Sequence, residues 1–301
     1  MKRVSRMKRV SRIKRMRKKK FFKIIMRVLI FFVSAIVISI YFHKKNSNAI
    51  IVSKPNQETY LRANTSGYSA DNQSQRNSND LEVHNMLVSH NYENDKKKKA
   101  YLTFDDGPST TITPQILDIL KENKINATFF VIGSFIDKSQ AARDILKREY
   151  NEGNSIGNHS YTHKYNILYP NGVVDTNAYM NEFEMTRKAI SSVIGENNIS
   201  KALRFPGGHM SWKGENEVDK LLEAQGYYYI DWNSMAGDAE TKSRSRDSMF
   251  QIFNETKKNV ARNGDLVVLM HDTYGKDETV KVLPEMIKEL KDEGYEFDTI
   301  R

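Results

Sequence analysis

Tyr101-Leu102-Thr103-Phe104-Asp105-Asp106-Gly107-Pro108 sets an apolar run directly before two adjacent carboxylates and a Gly-Pro pair. The apolar run reads as a strand. Asp, Gly and Pro are turn formers, so the chain should leave that strand abruptly and carry both acids on the turn. The same arrangement recurs downstream. Strand patterns fall at 101–104, 127–132, 155–158, 202–205, 227–232, 266–270 and 295–300, and helical patterns lie between them at 113–123, 138–150, 177–194, 216–225, 246–261 and 279–293. Thr113-Pro114 fits a helix start with proline in the first turn. The run 266–270 is apolar without alternation, which suits a strand buried on both faces.

Repeated strand–helix alternation predicts a parallel sheet with helices outside it. Seven such units predict an α/β domain built as a closed or nearly closed (β/α)7-8 barrel over 100–301; an open doubly wound sheet is the alternative. Every polar cluster of interest follows a strand: Asp105 and Asp106, His159 in His159-Ser160-Tyr161-Thr162-His163, Arg204 in Arg204-Phe205-Pro206-Gly207-Gly208, Asp238, then His271 and Asp272. In a parallel barrel the carboxyl ends of all strands face one mouth, so these side chains should converge there. One carboxylate and two histidines can hold a divalent metal with positions open to water and substrate, leaving a second carboxylate free beside it.

The first 27 residues carry fourteen Lys or Arg and no acid, and the hexapeptide MKRVSR occurs twice, at 1–6 and 7–12, so Met1 or Met7 could be the start. Residues 24–42 are apolar apart from Arg27, nearly the length of about 20 residues that a bilayer requires. The segment after them is bulky and basic and lacks the small-residue pattern of a cleavage site, so an uncleaved signal anchor is preferred to a cleaved signal peptide. The expected organisation is a cytoplasmic tail at 1–23, a transmembrane helix at 24–43, a disordered Asn/Ser/Lys-rich spacer at 44–99 and an extracellular domain at 100–301. As a coil the spacer would reach about 40 Å.

The formal charge of +10 does not point to nucleic acid: without the fourteen basic residues of the tail, 33 basic face 37 acidic residues. Cysteine is absent, so an exported domain of this kind must rely on its core or a metal. Several residues keep a plain structural reading. Asp272 could cap the next segment, Tyr227–Tyr229 read as core, His209 reads as surface, and Trp232 reads equally as core or as a sugar platform.

The strings TFDDGP, HSYTH, RFPGG and LMHD, with an Asp after a Trp-containing strand, resemble the polysaccharide deacetylase family, also called NodB-homology or carbohydrate esterase family 4. The resemblance spans roughly 98–301. It implies that Asp106, His159 and His163 hold a divalent metal (zinc, or else cobalt, iron or nickel), that Asp105 is the catalytic base and that Arg204 orients it. It also implies that the Gly207 N–H stands at the oxyanion position, that His271 is the general acid tuned by Asp238, and that Leu269 lines the acetyl pocket. Many members read Arg-Pro-Pro-Tyr-Gly where this chain has RFPGG, so the groove at Gly207 is expected to be more open. Ala239 stands where an aromatic often follows the Asp, and Trp232 could supply that wall.

The implied activity is metal-dependent removal of N-acetyl groups from N-acetylglucosamine-type glycans, with release of acetate, by a monomer anchored in a bacterial, Gram-positive-type membrane. Peptidoglycan is the preferred substrate because the tether places the domain in the wall. Chitin-like or poly-N-acetylglucosamine chains and acetylated xylan are the alternatives, and a non-catalytic wall-binding module is the reading from a different class.

Overall fold

In the computed structural model, residues 78–93, 97–239, 244–260 and 264–301 are described. The expected tail, anchor and most of the spacer lie outside them. Among the described residues no helix is long and apolar enough to cross a membrane.

The described residues begin with α1 (Asp80–Ser89), β1 (Lys99–Gly107), α2 (Thr113–Asn123), β2 (Thr128–Val131), α3 (Gly133–Lys138), α4 (Gln140–Asn151), β3 (Ser155–Asn158), α5 (Tyr165–Leu168) and α6 (Thr176–Ile194). It continues through β4 (Ala202–Leu203), α7 (Asn216–Glu223), β5 (Tyr228–Tyr229), β6 (Ser234–Met235), α8 (Arg246–Lys257), β7 (Leu266–His271), α9 (Asp277–Asp292) and β8 (Glu296–Phe297). Among the described residues every pairing between these strands is parallel, in the order β5-β4-β3-β2-β1-β7-β6, with β8 joined to the start of β1.

The barrel is not closed. Among the described residues β5 and β6 do not pair with each other, and side-chain bonds extend the pairings on either side of the seam. Asn233 accepts from Val267 N at 2.8 Å and donates to Asp265 O at 2.9 Å, while Arg204 Nε donates to Ile230 O at 2.7 Å. The sequence reading missed β6, a two-residue strand too short to show a period, and missed the six-residue α3, starting its helix at Lys138 beside Ser139, whose hydroxyl caps α4.

Strand alternation sorts the core into two layers. Ala100, Leu102, Phe104, Leu266, Val268 and Met270 face outward into the layer beneath the helices, where α9 contributes Val282, Leu283, Met286, Ile287 and Leu290 at helical spacing. Tyr101, Phe130, Ala202, Ile230 and Val267 face inward and form the barrel floor with Val83 and Leu87 of α1.

That floor corrects the spacer expected over 44–99, because its last part belongs to the domain. Met86–Val88, an apolar island in a polar stretch, lies on α1, and α1 is stitched to the C-terminus by Asn79 N to Arg301 O at 2.8 Å. His84 Nδ1 donates to Tyr229 O at 2.7 Å, tying α1 to the edge strand β5.

Candidate active site

β1 and β7 run in register, with Tyr101 opposite Val267, Thr103 opposite Leu269 and Asp105 opposite His271. These inward positions climb from the apolar floor to the mouth, so the pairing alone sets Asp105 beside His271. The β1 turn then reverses sharply. Asp106 adopts a left-handed backbone (φ 71°), and a Cβ at Gly107 would stand 2.2 Å from Asp272 Oδ2. Only glycine fits over that buried acid.

His159 follows β3, with its N–H bonded to Val131 O at 3.0 Å. Ser160 and His163 are also left-handed, at φ 63° and 56°. Three non-glycine residues in this uncommon region at one site mark a loop that its surroundings hold in place. The holding group is Glu182 of α6, whose carboxylate accepts from Tyr161 N (3.2 Å), Thr162 N (2.9 Å) and the Thr162 hydroxyl (2.6 Å). Asn158 adds an acceptor for Ser160 N at 3.0 Å.

Asp106 Oδ1 lies 3.4 Å from His159 Nε2 and 3.3 Å from His163 Nε2, and the three ligand atoms fall within 4.8 Å of one another. His159 Nδ1 donates to Arg204 O at 2.8 Å, which fixes the tautomer and aims Nε2 at the cluster. Asp106 Oδ1 is buried without a hydrogen bond. A buried carboxylate oxygen of that kind, facing two Nε2 atoms, fits a divalent cation. Burial opposes ionisation of Asp106, but His159 and His163 outweigh it and hold its carboxyl well below the usual range. Burial and the neighbouring His159 lower the pKa of His163, favouring the neutral, ligating imidazole.

Asp105 stands beside that trio. Its Oδ1 accepts from Arg204 Nη1 at 2.8 Å, and its Oδ2 is 3.7 Å from His159 Nε2. Arg204 is fully buried, and it donates as well to Thr103 Oγ1 (2.7 Å) and Asp231 O (3.1 Å). Its guanidinium lies 4.3 Å from the centre of the Phe130 ring and 5.6 Å from that of Trp232. A charge this deep persists because nearly every donor is matched.

His271 Nδ1 bonds Asp238 Oδ1 at 2.8 Å, and Asp238 Oδ2 accepts from His271 N and the Thr279 hydroxyl, each at 2.8 Å. Burial works against the imidazolium, but the Asp238 carboxylate, helped by Asp105 and Asp106, lifts the His271 pKa to about 9.

Of the ten residues singled out in the sequence, seven converge as ionisable groups around one mouth: Asp105, Asp106, His159, His163, Arg204, Asp238 and His271. Leu269 is buried on the same strand face, two residues below His271, and Gly207 is exposed at the rim. Trp232 is half-buried beneath Gly208, where a Cβ would meet its ring at 2.8 Å.

Three expectations change. His209 is buried rather than on the surface: it stacks on Tyr229 (3.7 Å, 5°) and bonds Asp219 at 3.0 Å, a partner ten residues away that spacing could not reveal. The groove is not more open at Gly207, since the Tyr165 hydroxyl and the Trp212 ring fill the space, 3.0 and 3.1 Å from where a Cβ would stand. Asp272 caps nothing beyond its strand. It is fully buried under the β1 turn, where its N–H bonds Asp105 O at 3.1 Å and its carbonyl accepts from the Ser109 hydroxyl at 2.7 Å.

Sequence reasoning missed Glu182 altogether. Its only signal was an acid set directly beside Phe183 in the helical pattern of 177–194.

The family model described as polysaccharide deacetylase matches residues 92–230. A peptidoglycan-N-acetylglucosamine deacetylase of Bacillus cereus is 34% identical over 203 residues, covering 67% of this chain and 69% of the relative. The chain belongs to the polysaccharide deacetylase family. A Listeria monocytogenes peptidoglycan-N-acetylglucosamine deacetylase is 33% identical over 204 residues, which cover 67% of this chain and 38% of that longer protein. Among solved structures, a Streptococcus mutans CE4 esterase superposes with a TM-score of 0.67 at 37% identity, covering 74% of this chain and 91% of that one. As a family member the chain is a deacetylase, a hydrolase, and the parallel half-barrel seen here is the fold those relatives share.

Proposed function

We propose that this deacetylase removes N-acetyl groups from the N-acetylglucosamine residues of peptidoglycan, releasing acetate and leaving a free amino sugar. The observation that carries the reading is the division of labour between adjacent carboxylates: Asp106 is turned into a trio with two Nε2 atoms, and Asp105 is held out of it by Arg204. Two relatives named as peptidoglycan-N-acetylglucosamine deacetylases, from Bacillus cereus and Listeria monocytogenes, support the choice of substrate.

Asp106, His159 and His163 would hold one divalent cation, zinc or a neighbouring transition metal. When bound, the cation supplies Lewis-acid polarisation of the acetamide carbonyl and of the attacking water. The chain's own groups carry the protons. Asp105 accepts the proton of that water on Oδ2, because Oδ1 is committed to Arg204, and the pairing fixes the carboxylate's direction. The Gly207 N–H, at the exposed rim in a left-handed turn (φ 80°), donates to the developing oxyanion; one such donor is typically worth about 3–4 kcal/mol. His271 delivers a proton from Nε2 to the departing amine, since Asp238 keeps Nδ1–H engaged and the ring charged. Leu269 and Trp232 wall the acetyl pocket.

The apolar segment 24–43, with its basic flank, anchors the chain in the membrane, and the domain faces the wall outside. The test follows acetate from peptidoglycan, chitooligosaccharide and acetylated xylan, using the full chain with and without chelator. Peptidoglycan should release the most, and both chelation and Asp105→Ala should abolish release. If both leave it unchanged, the reading fails. Recovery of the intact chain in the membrane fraction checks the anchor; a shorter soluble form would favour cleavage.

A further inference from the structure

Tyr165 opens α5, two residues after His163. It is 44% exposed, although its ring lies between the proposed metal site and the oxyanion loop. The ring centre is 5.3 Å from that of His163 on one side and 5.0 Å from that of Trp212 on the other. Trp212 is itself fixed, since it stacks on Tyr169 at 4.0 Å and 14° and donates from Nε1 to Pro206 O at 2.8 Å. Tyr165 therefore stands against a rigid aromatic backing that belongs to the Gly207 loop.

Its hydroxyl reaches the space over Gly207, 3.0 Å from where a Cβ would be. No described protein group hydrogen-bonds it there. A tyrosine phenol is a neutral hydrogen-bond donor near neutral pH. An exposed aromatic ring with a free donor, set in rigid packing beside the reacting position, has the chemistry of a sugar contact: the ring covers apolar C–H surface and the hydroxyl takes a sugar oxygen.

We propose that Tyr165, backed by Trp212, is a specificity-determining residue that grips the N-acetylated sugar ring itself, through a hydrogen bond from its hydroxyl, rather than the acetyl group. This deepens the deacetylase reading and rests on it. The acetyl end of the substrate is served by the Gly207 N–H and Leu269. A residue gripping only the sugar selects glycan over a bare acetyl ester.

The test compares the full chain with Tyr165→Phe and Tyr165→Ala on two substrates, an N-acetylglucosamine pentamer and a small aryl acetate without sugar. A neutral hydrogen bond of about 0.5–1.5 kcal/mol corresponds to about a 2–12-fold change. Tyr165→Phe should raise KM for the pentamer within that range while kcat holds. The ratio of glycan to aryl-acetate kcat/KM should fall by the same factor, and Tyr165→Ala should lower it further. Parallel loss on both substrates would mean that the substitution disturbs His163, and would overturn the proposal; so would an unchanged ratio.

Binding of the pentamer is measured separately by calorimetry in the Asp105→Ala background, with and without Tyr165→Phe. Binding that weakens about 2–12-fold supports the proposal even if neither chelator nor Asp105→Ala changes acetate release, a result that sinks the deacetylase reading alone. Pentamer affinity indifferent to Tyr165, or no pentamer binding at all, overturns the role of Tyr165.

Discussion

The two ends of the β1–β7 pair face the same barrel interior and could hardly differ more. At the lower end Tyr101 and Val267 pack with Val83 and Leu87 of α1 in a dry, apolar floor. Two rungs higher Asp105 and His271 stand among five other ionisable groups. The middle rung, Thr103 and Leu269, is the transition, and Arg204 occupies it, with Phe130 against its guanidinium and Asp105 on its Nη1. One pair of strands thus supplies cohesion at its amino end and chemistry at its carboxyl end. Substitutions at the two ends should accordingly move different observables.

The sharpest way to break this contrast is Asp105→Asn. A positioned general base typically contributes about 10²–10⁴-fold, so kcat for acetate release should fall by that factor while far-UV circular dichroism stays unchanged. Comparable activity in the variant would mean that the upper rung is not where the proton goes. The converse change is Leu87→Ala in α1. Truncating a buried leucine costs about 2–5 kcal/mol, and at the last turn of a helix the low end is expected. Denaturant unfolding should show that loss, with kcat unaltered. A fall in kcat with no loss of stability would refute the separation.

Asp238→Asn sharpens the upper end. Burial lowers the His271 pKa and the Asp238 carboxylate raises it to about 9, so replacing the carboxylate by a neutral amide lowers it. A general acid must be protonated, hence activity is lost as pH rises through its pKa. The alkaline limb of kcat should therefore move to lower pH by about one unit or more. A cation held by Asp106, His159 and His163 would repel the imidazolium and lower the limb in both proteins alike. An unmoved limb would remove His271 from the role of acid.

Legibility in the sequence followed the same division. The upper end was readable because its residues are chemically distinctive and each follows a strand: spacing alone brought Asp105, Asp106, His159, His163, Arg204, Asp238 and His271 to one mouth, and β3 and α2 matched their expected spans. The lower end was not readable. Val83 and Leu87 sit in a stretch whose composition resembles a linker, and only the floor of the barrel gives their apolar faces a destination. The seam between β5 and β6 was hidden for a related reason. Its two sides are held by side chains, Asn233 bonded to β7 and Arg204 donating to Ile230 O, and contacts of that kind leave no periodic trace. Glu182 and Tyr165 were missed because each acts across the fold, on a loop with which it shares no motif.

Glu149 offers the smallest test, because it lies behind the mouth and belongs to neither end. It is fully buried on α4, and neither carboxylate oxygen has a hydrogen bond. Burial, and then the charge of Asp272, raise its pKa well above the ordinary glutamate value, and Asp272 is itself pushed up to about 7, chiefly by burial. Both groups therefore resist ionisation in the folded protein. Stability from an acid whose folded pKa is raised is fully present below its unfolded pKa and is lost as pH climbs through the folded one. Glu149→Gln cannot ionise, so it should lose less stability than the parent between pH 5.5 and pH 8. The stability of the variant relative to the parent should therefore rise from pH 5.5 to pH 8, read from chemical denaturation at the two pH values. The acetate-release rate should not follow that change, because Glu149 lies outside the mouth. If the variant and the parent lose stability in parallel, Glu149 is already ionised in the folded protein, and the pH sensitivity belongs to Asp272 under the β1 turn.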